Sequence, residues 1–326
     1  MSRFRIDAWD LFLAGLLLVA FLFGVFVVPN FATPFNLSQL AAGMAEKALL
    51  VLPMVLLIVA REIDLSVASM LALSSVAFGI GLQLGAPIWV AIPATILFGA
   101  LLGAGNGYLV AGLGLPALVV TLGTMALYRG LGYIALGAGS VNVFPNFVTD
   151  FGIGSIPGTR IPYVILPFLA LAPLFAVWLQ MKPFGQRVYA VGGSPAAALY
   201  SGIGVDRLRF WLFVVSGAVC AIAGMVYTAR LANARANNAL GMELDVITIV
   251  FLGGVSVWGG KGRLTGVLIA LCLVAVIRNL LGISQIGGDT QSLVIGLLLI
   301  ISLLVSNSTA FLLSFLQHAA GQKPNG

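Results

Sequence analysis

The sequence predicts an all-α integral membrane protein of about ten transmembrane helices, and three observations support this fold class. Hydrophobic residues make up 60% of the 326 residues, charged residues only 8%, and the mean hydropathy is +1.11. Soluble domains average about 25% charged residues, so water is not the main solvent of this chain. A spanning helix needs roughly 20 apolar residues, which leaves room for about ten spans joined by short loops. We therefore interpret residues 1–326 as a single transmembrane domain.

The spans are placed where apolar segments are bounded by Pro, Gly or charged residues. The first one follows basic residues near the amino terminus, and no small-residue cleavage site closes it, so we interpret it as a retained helix rather than a signal peptide. The predicted spans are residues 10–28, 39–60, 65–83, 87–111, 115–136, 161–180, 208–230, 243–258, 264–282 and 289–306.

The distribution of basic residues predicts the orientation. The net charge is +6, but the Lys and Arg residues lie singly or in pairs at the ends of apolar segments, which excludes a nucleic-acid surface. With both termini in the cytoplasm, the cytoplasmic side carries most of these cations, as the positive-inside rule requires. The cytoplasmic set is Arg3, Arg5, Arg61, Lys182, Arg187, Arg207, Arg209, Lys261, Arg263 and Lys323, and the outer set is Arg160, Arg230 and Arg235.

Two loops are long enough to have functions of their own. Residues 137–160 are rich in Gly, Asn and Pro without helical periodicity, which predicts a periplasmic loop. Residues 181–208 form a cytoplasmic loop that divides the chain into two sets of roughly five helices. An odd number of helices in each set predicts that the two halves are inverted in the membrane.

The cytoplasmic loop contains the signals of a short helix. Ser194 is a suitable N-cap, Pro195 suits the first turn, residues 196–198 are alanines, and Gly202 can end the helix. Such a helix has the shape of an element that enters a groove on a partner.

Several motifs resemble the ribose-type family of ABC sugar permeases. They cover most of residues 35–305 in the family's order, although Arg61-Glu62 replaces the usual Gly-Gly pair and Ala68 stands where Gly is common. The motifs are the loop elements at residues 185–187, 192–193, 196–197 and 201–203, together with Ile63–Val67, Asn106-Gly107, Pro116, residues 120–125, Arg129-Gly130, residues 243–245, Gly253-Gly254 and residues 259–262.

This resemblance implies a permease subunit, not an enzyme, of an ATP-driven importer in the bacterial inner membrane. The cargo would be a small sugar, a pentose or deoxyhexose such as ribose or rhamnose. The partners would be an ABC ATPase, a periplasmic or extracellular sugar-binding protein, a second permease subunit, identical or related, and membrane lipid. ATP and Mg would bind the ATPase, because the glycine-rich segment ending at Lys261 lacks phosphate-loop spacing and the chain shows no cofactor or metal site. The residues implied in ATPase coupling are Gly185, Arg187, Gly192, Gly193, Ser194, Ala196, Ala197, Ser201 and Gly202.

Polar residues in and beside the spans are candidates for the translocation path or its gate. Charges within a membrane are costly, so they face protein or water. Glu46 and Lys47 either line the path or form a buried pair that fixes their helix, and Arg61 and Glu62 are candidates for a pair beside Asp64. The path candidates are Glu46, Lys47, Asp64, Asn106, Thr121, Thr124 and Arg129, and the candidates for docking a binding protein, or for simple interfacial anchoring, are Arg230, Arg235 and Asn237.

Two other functions remain open from the sequence. An ion-coupled secondary transporter would use Glu46 as its proton carrier but would leave the cytoplasmic loop without a role. An ABC permease for branched-chain amino acids would need a helix terminus or an arginine to hold the carboxylate of its cargo.

Overall fold

The computed structural model describes residues 7–298 and 300, and this part of the chain is helical apart from turns and two isolated antiparallel bridges. Residues 288–298 are helical as well. The helices are α1 (Ala8–Val27), α2 (Pro34–Val59), α3 (Val67–Gln83), α4 (Ile88–Gly107), α5 (Ala117–Leu136), α6 (Asn146–Ile153), α7 (Leu166–Gln180), α8 (Pro183–Gly193), α9 (Pro195–Tyr200), α10 (Val205–Leu231), α11 (Met242–Leu252) and α12 (Leu264–Ile283).

Seven helices in the described part are long and apolar enough to cross a membrane: α1, α2, α4 with its π-helical end, α5, α7 with its preceding 3-10 turn, α10 and α12. This confirms the predicted all-α membrane fold. α3 and α11 are shorter, with 17 and 11 residues. The span predicted at 243–258 ends early, because Gly253 and Gly254 follow α11 and Gly254 has φ +83°. The predicted span 289–306 lies partly outside the described residues.

The bundle has two ends, which we call lower and upper. At the lower end, the backbone N–H of Gly260 donates to Val59 O at the end of α2, and Trp9 Nε1 at the start of α1 donates to Leu252 O at the end of α11. At the upper end, Asn36 in the first turn of α2 pairs with Asn279 near the end of α12. α1 and α12 therefore run from the lower to the upper end, and α2 runs in the opposite direction.

α2 forms the centre of the bundle, since every residue from Ala48 to Ala60 is buried. Gly99, Gly103 and Gly107 recur at four-residue spacing on α4, and this glycine stripe makes a close contact with α10 within the chain. A Cβ atom added to Gly99 or Gly103 would lie 2.4 Å from Gly217 O or 2.2 Å from Phe213 O. Only glycine lets these backbones approach so closely, which explains the spacing of the stripe.

The loop predicted without helical periodicity, residues 137–160, contains α6 at the upper end. Residues preceding and following this helix make the two isolated bridges, Val141 with Ala234 and Ser155 with Pro162. Gly152 of α6 lies so close to α10 that an added Cβ would be 1.9 Å from Ala229 O. The prediction of an irregular loop was wrong at this helix, because its contacts with α10 are not visible in the local sequence.

Candidate coupling face and polar interior

The predicted cytoplasmic loop, residues 181–208, folds as two short helices, α8 and α9. As predicted, Ser194 caps α9, with its Oγ accepting from the Ala197 N–H at 3.3 Å, and Pro195 occupies the first helical position. Gly202 follows the end of α9 with φ +79°, a backbone conformation that favours glycine. α8 was not predicted as a helix.

α8 is fixed to the lower end of the bundle by two glycines with no room for a side chain. A Cβ atom added to Gly185 would lie 1.9 Å from Leu179 O, and one added to Gly192 would lie 1.7 Å from Val59 O and 2.6 Å from Gly260 N. The contact at Gly192 joins the loop to the end of the central helix α2.

Side-chain hydrogen bonds strengthen this junction. Arg61 donates from Nε to Trp258 O at 2.7 Å and from Nη2 to Gly193 O at 3.2 Å. The Tyr189 hydroxyl donates to Gly262 O at 2.7 Å. These hydrogen bonds therefore join the loop to the end of α2 and to the glycine-rich segment before α12.

The opposite side of the loop is exposed, and we call it the coupling face. It contains an almost fully exposed aromatic residue, Tyr200, at 92% exposure, beside Leu199 at 63%. The predicted coupling residues thus divide into two groups. Gly185 and Gly192 are buried anchors, whereas the exposed members are Arg187, Gly193, Ser194, Ala196, Ala197, Ser201 and Gly202.

The connection between α2 and α3 places a carboxylate inside the bundle. Asp64 is fully buried, and its Oδ1 accepts from the Ser66 hydroxyl at 2.6 Å and the Ser66 N–H at 2.9 Å, while the Ser216 hydroxyl of α10 reaches Oδ2 at 3.3 Å. Asn106 of α4 donates to Ser66 Oγ at 2.8 Å. Thr121 of α5 donates to Ile63 O at 3.2 Å. Three predicted path residues, Asp64, Asn106 and Thr121, are therefore brought together as a closed polar core.

The predicted pair of Arg61 with Glu62 does not form, because Arg61 binds the backbone groups described above. Glu62 instead lies beside Arg209 of α10, with Oε1 at 2.7 Å from Nε. The Nε–H is poorly aligned with this oxygen, and Arg209 Nε has no hydrogen bond within the described part of the chain. Burial raises the pKa of Glu62 to about 7, against the opposing effect of the Arg209 charge.

Glu46 and Lys47 each pair with a residue of another helix rather than with each other. Glu46, 1% exposed, accepts from Arg230 Nε at 2.6 Å, so the guanidinium of this predicted docking residue is held by a buried carboxylate. Lys47 Nζ lies 2.7 Å from Asp245 Oδ2, and Arg278 Nη2 donates to Asp245 Oδ1 at 2.6 Å. These ion pairs lower the free-energy cost of placing the charges among apolar helices, although Lys47 and Arg278 share one carboxylate.

Arg129, another predicted path residue, has a structural contact. Its Nη1 donates to Ala236 O and Asn238 O at 2.7 and 2.6 Å, which holds the segment between α10 and α11. In that segment Arg235 and Asn237 are exposed at the upper end, as docking residues would be. Thr124 is nearly buried and donates to Thr121 O at 3.4 Å, so it faces the bundle interior.

Sequence reasoning missed three polar residues that complete these clusters: Asp245, Arg209 and Ser216. Asp245 was noted as part of a motif, but its position in the first turn of α11 did not show that two cations from α2 and α12 would reach it. The sequence signal that could have found such residues is the rarity of polar and charged side chains in apolar helices, because a charge within the membrane requires a partner.

A family model described as "branched-chain amino acid transport system / permease component" matches residues 36–303. The chain belongs to this permease family. Membership and the seven apolar helices confirm the predicted multi-pass protein of the inner membrane.

Relatives of this permease agree with the predicted resemblance to sugar permeases. The ribose import permease protein RbsC of Haemophilus influenzae is 31% identical over 94% of this chain and 95% of that relative. The L-arabinose transport system permease protein AraH of Escherichia coli K12 is 31% identical over 90% of this chain and 89% of that relative. The autoinducer 2 import system permease protein LsrD of Escherichia coli O9:H4 is 31% identical over 90% of this chain and 90% of that relative. No solved structure matches this chain. These relatives are named as transport permeases, not as enzymes.

Proposed function

We propose that this permease is the transmembrane subunit of an ATP-driven importer that carries a small sugar, a pentose or deoxyhexose such as ribose or rhamnose, into the cytoplasm. The observation that carries the proposal is the junction at Gly192. An exposed two-helix element is joined without a gap to the end of the buried central helix. A force applied to the coupling face by a partner is thereby transmitted to the core of the bundle. The relatives named for ribose, arabinose and autoinducer 2 support a sugar-like cargo.

The lower end faces the cytoplasm in this proposal, with both termini on that side. The lower end carries more cations than the upper end, which satisfies the positive-inside rule. Described cations at the lower end are Arg61, Lys182, Arg187, Arg207, Arg209, Lys261 and Arg263, and those at the upper end are Arg160, Arg230 and Arg235. Lys47, Arg129 and Arg278 lie within the spanning helices α2, α5 and α12 and are counted at neither end.

An inverted repeat of two five-helix halves is supported by corresponding residues at opposite ends. Ala60-Arg61 follows the long helix α2, and Ala229-Arg230 lies near the end of the long helix α10. Glu62 and Asp64 precede the short helix α3, and Glu243 and Asp245 begin the short helix α11. In each half a long helix, an arginine and a Glu-x-Asp sequence therefore lead into a short helix.

The proposed partners divide between the two ends. An ABC ATPase holding ATP and Mg binds the coupling face, and a sugar-binding protein docks on the upper end near Arg235 and Asn237. A second permease subunit, identical or related, pairs with this one in the lipid bilayer, and no nucleic acid takes part. The work of ATP binding and hydrolysis biases the permease between outward-open and inward-open states.

A branched-chain amino acid is the second candidate cargo, because the description of the family model names that class. An ion-coupled transporter is less well supported, since the carboxylate of Glu46 is held by Arg230.

Uptake into proteoliposomes tests the proposal. The permease is reconstituted with the ATPase and the binding protein from its own gene neighbourhood, and accumulation of radiolabelled ribose, rhamnose, arabinose and leucine is measured with ATP or with an imposed proton gradient. We expect ATP-dependent accumulation of one sugar. Accumulation driven by the gradient without the ATPase, or of leucine alone, contradicts the proposal.

A further inference from the structure

A cavity of about 200 Å³ lies between α2 and α12 and reaches towards the upper end, and we call it the upper cleft. Its walls are largely apolar, with Leu40, Met44 and Ile249 among the lining residues. Its polar groups are the amides of Gln39 and Asn279 and the cations Lys47 and Arg278. Apolar walls with a few convergent polar groups are typical of small-molecule sites.

The charges at the upper cleft leave hydrogen-bond donors in excess. Lys47 and Arg278 share one carboxylate, Asp245, at 2.7 and 2.6 Å. Arg278 Nε is itself buried and has no hydrogen-bond partner among the described residues. A buried donor without a partner costs free energy unless a ligand or water satisfies it. Because Lys47 and Arg278 line the cleft and share one carboxylate, the cleft favours an occupant that offers acceptor oxygens.

The corresponding position in the first half is closed and has no excess of cations among the described residues. There Asp64 is bound by the hydroxyls of Ser66 and Ser216, and no cation contacts it in the described part of the chain. The helices that flank it, α4 and α10, are in backbone contact at Gly103, whereas α2 and α12 leave the upper cleft between them. The open space and the excess charge are thus particular to the upper half, and fold architecture alone does not require them.

We infer that the upper cleft is a transient binding site for the sugar cargo on its way from the upper end. This inference rests on the proposed function. Sugar hydroxyls accept hydrogen bonds from Lys47, Arg278 and the two amides, and the apolar walls contact the C–H face of the ring. Asp245 accepts from a hydroxyl when one of its cations turns to the sugar. The modest number of polar groups suits a site that must release its ligand.

The first experiment fills the cleft. Gly43 lines it, and an added Cβ meets no heavy atom of the described residues within 4 Å, so the side chain of Gly43→Leu starts in open space. Gly15→Leu on the exposed side of α1 is the matched control, with equally open space. We expect ATP-dependent sugar uptake in proteoliposomes to fall at least tenfold in Gly43→Leu and to stay within twofold of wild type in Gly15→Leu. Wild-type uptake in Gly43→Leu overturns the inference.

The second experiment needs no ATPase and keeps the test independent of assembly. Gly43→Cys is made in a Cys272→Ser background, because Cys272 is the exposed native thiol whereas Cys220 is buried. In nanodiscs, the rate of labelling by a water-soluble thiol reagent is measured with ribose, arabinose, rhamnose, leucine, inorganic phosphate or no solute. We expect the transported sugar to slow labelling at least threefold.

The outcomes separate the two proposals. If wild-type uptake depends on ATP and is specific for a sugar, but no sugar slows labelling, the importer stands and the cleft assignment falls. Protection by leucine or phosphate without protection by any sugar also overturns the assignment. Slower labelling only after phosphatidylcholine is replaced by an anionic phospholipid identifies a lipid site and overturns it as well. If uptake is driven by a proton gradient alone, the importer itself is refuted.

Discussion

Replacing Gly192 by alanine tests whether the coupling face acts through the end of α2. The added Cβ would lie 1.7 Å from Val59 O, and Cβ contacts under 3.0 Å essentially never occur. α8 must therefore retreat by at least about 1.3 Å. This retreat stretches the hydrogen bond from Arg61 Nη2 to Gly193 O, now 3.2 Å. The added Cβ would also lie 2.6 Å from Gly260 N, so it disturbs the hydrogen bond from Gly260 N to Val59 O, now 2.8 Å.

The free-energy cost of Gly192→Ala follows from these contacts. Two hydrogen bonds at about 1 kcal/mol each, with an overpacking term of about 1 kcal/mol or more, give roughly 3 kcal/mol against the native junction. That is enough to populate the detached arrangement substantially. The neighbouring Gly193 is the matched control, because it is exposed and an added Cβ meets no described heavy atom within 4 Å.

The assay is the ratio of sugar transported to ATP hydrolysed in proteoliposomes. We expect Gly192→Ala to lower this ratio at least tenfold, with ATP hydrolysis retained, and Gly193→Ala to leave it within twofold of wild type. Equal ratios in the two variants would refute the reasoning that force passes through this junction.

Three further predictions concern other parts of the molecule. Gly193→Trp enlarges the exposed side of the coupling face, so stimulation of the ATPase should be lost while membrane insertion is unchanged; normal stimulation contradicts the docking role. Gly103→Ala places a Cβ 2.2 Å from Phe213 O and should lower the unfolding free energy by about 1–3 kcal/mol. The measurement is thermal unfolding in detergent. In the control Gly105→Ala the added Cβ meets only the Tyr128 hydroxyl at 3.6 Å, so the unfolding free energy should not fall. Glu62 has a pKa raised from 4.5 to about 7, so its contribution to stability is present below 4.5 and is lost as pH rises from 4.5 through 7. The melting temperature of Glu62→Gln should therefore rise relative to that of wild type between pH 4.5 and pH 7 and level off above pH 7, and a constant difference would contradict this.

Local patterns in the sequence were enough to predict much of the fold. Runs of apolar residues locate the spans to within a few residues, because hydrophobic length decides which segments cross a bilayer. The cap of α9 at Ser194 was predicted correctly because a serine followed by proline has a local structural preference. The glycine stripe of α4 indicated a close helix contact but not that Gly217 of α10 would be its partner.

Partners across the bundle could not be predicted. Glu46 was a candidate to pair with its neighbour Lys47, yet its partner Arg230 is 184 residues away in the chain. Adjacent residues on a helix point in different directions, so the two side chains of α2 reach different neighbours. The proposed repeat between the halves is hard to recognise for a similar reason. Arg61 is followed directly by Glu62, whereas residues 231–242 separate Arg230 from Glu243.

At the candidate site too, the sequence predicted local features but not the contacts between residues that are distant in the chain. The resemblance predicted the coupling loop residue by residue, and the structure then separated buried anchors such as Gly192 from exposed residues such as Ala196. The upper cleft had no sequence signature, because its polar groups come from α2, α11 and α12 and meet only in the folded bundle.

The most direct test of the coupling mechanism is the side of the membrane on which α9 lies and what covers it there. Ala196→Cys in a Cys272→Ser background is labelled with a membrane-impermeant thiol reagent in right-side-out and inverted vesicles, with and without the purified ATPase. We expect labelling only in inverted vesicles and at least fivefold slower labelling once the ATPase is bound. Labelling in right-side-out vesicles, or a rate that the ATPase leaves unchanged, would contradict the assignment of α8 and α9 as the receiver of work from ATP.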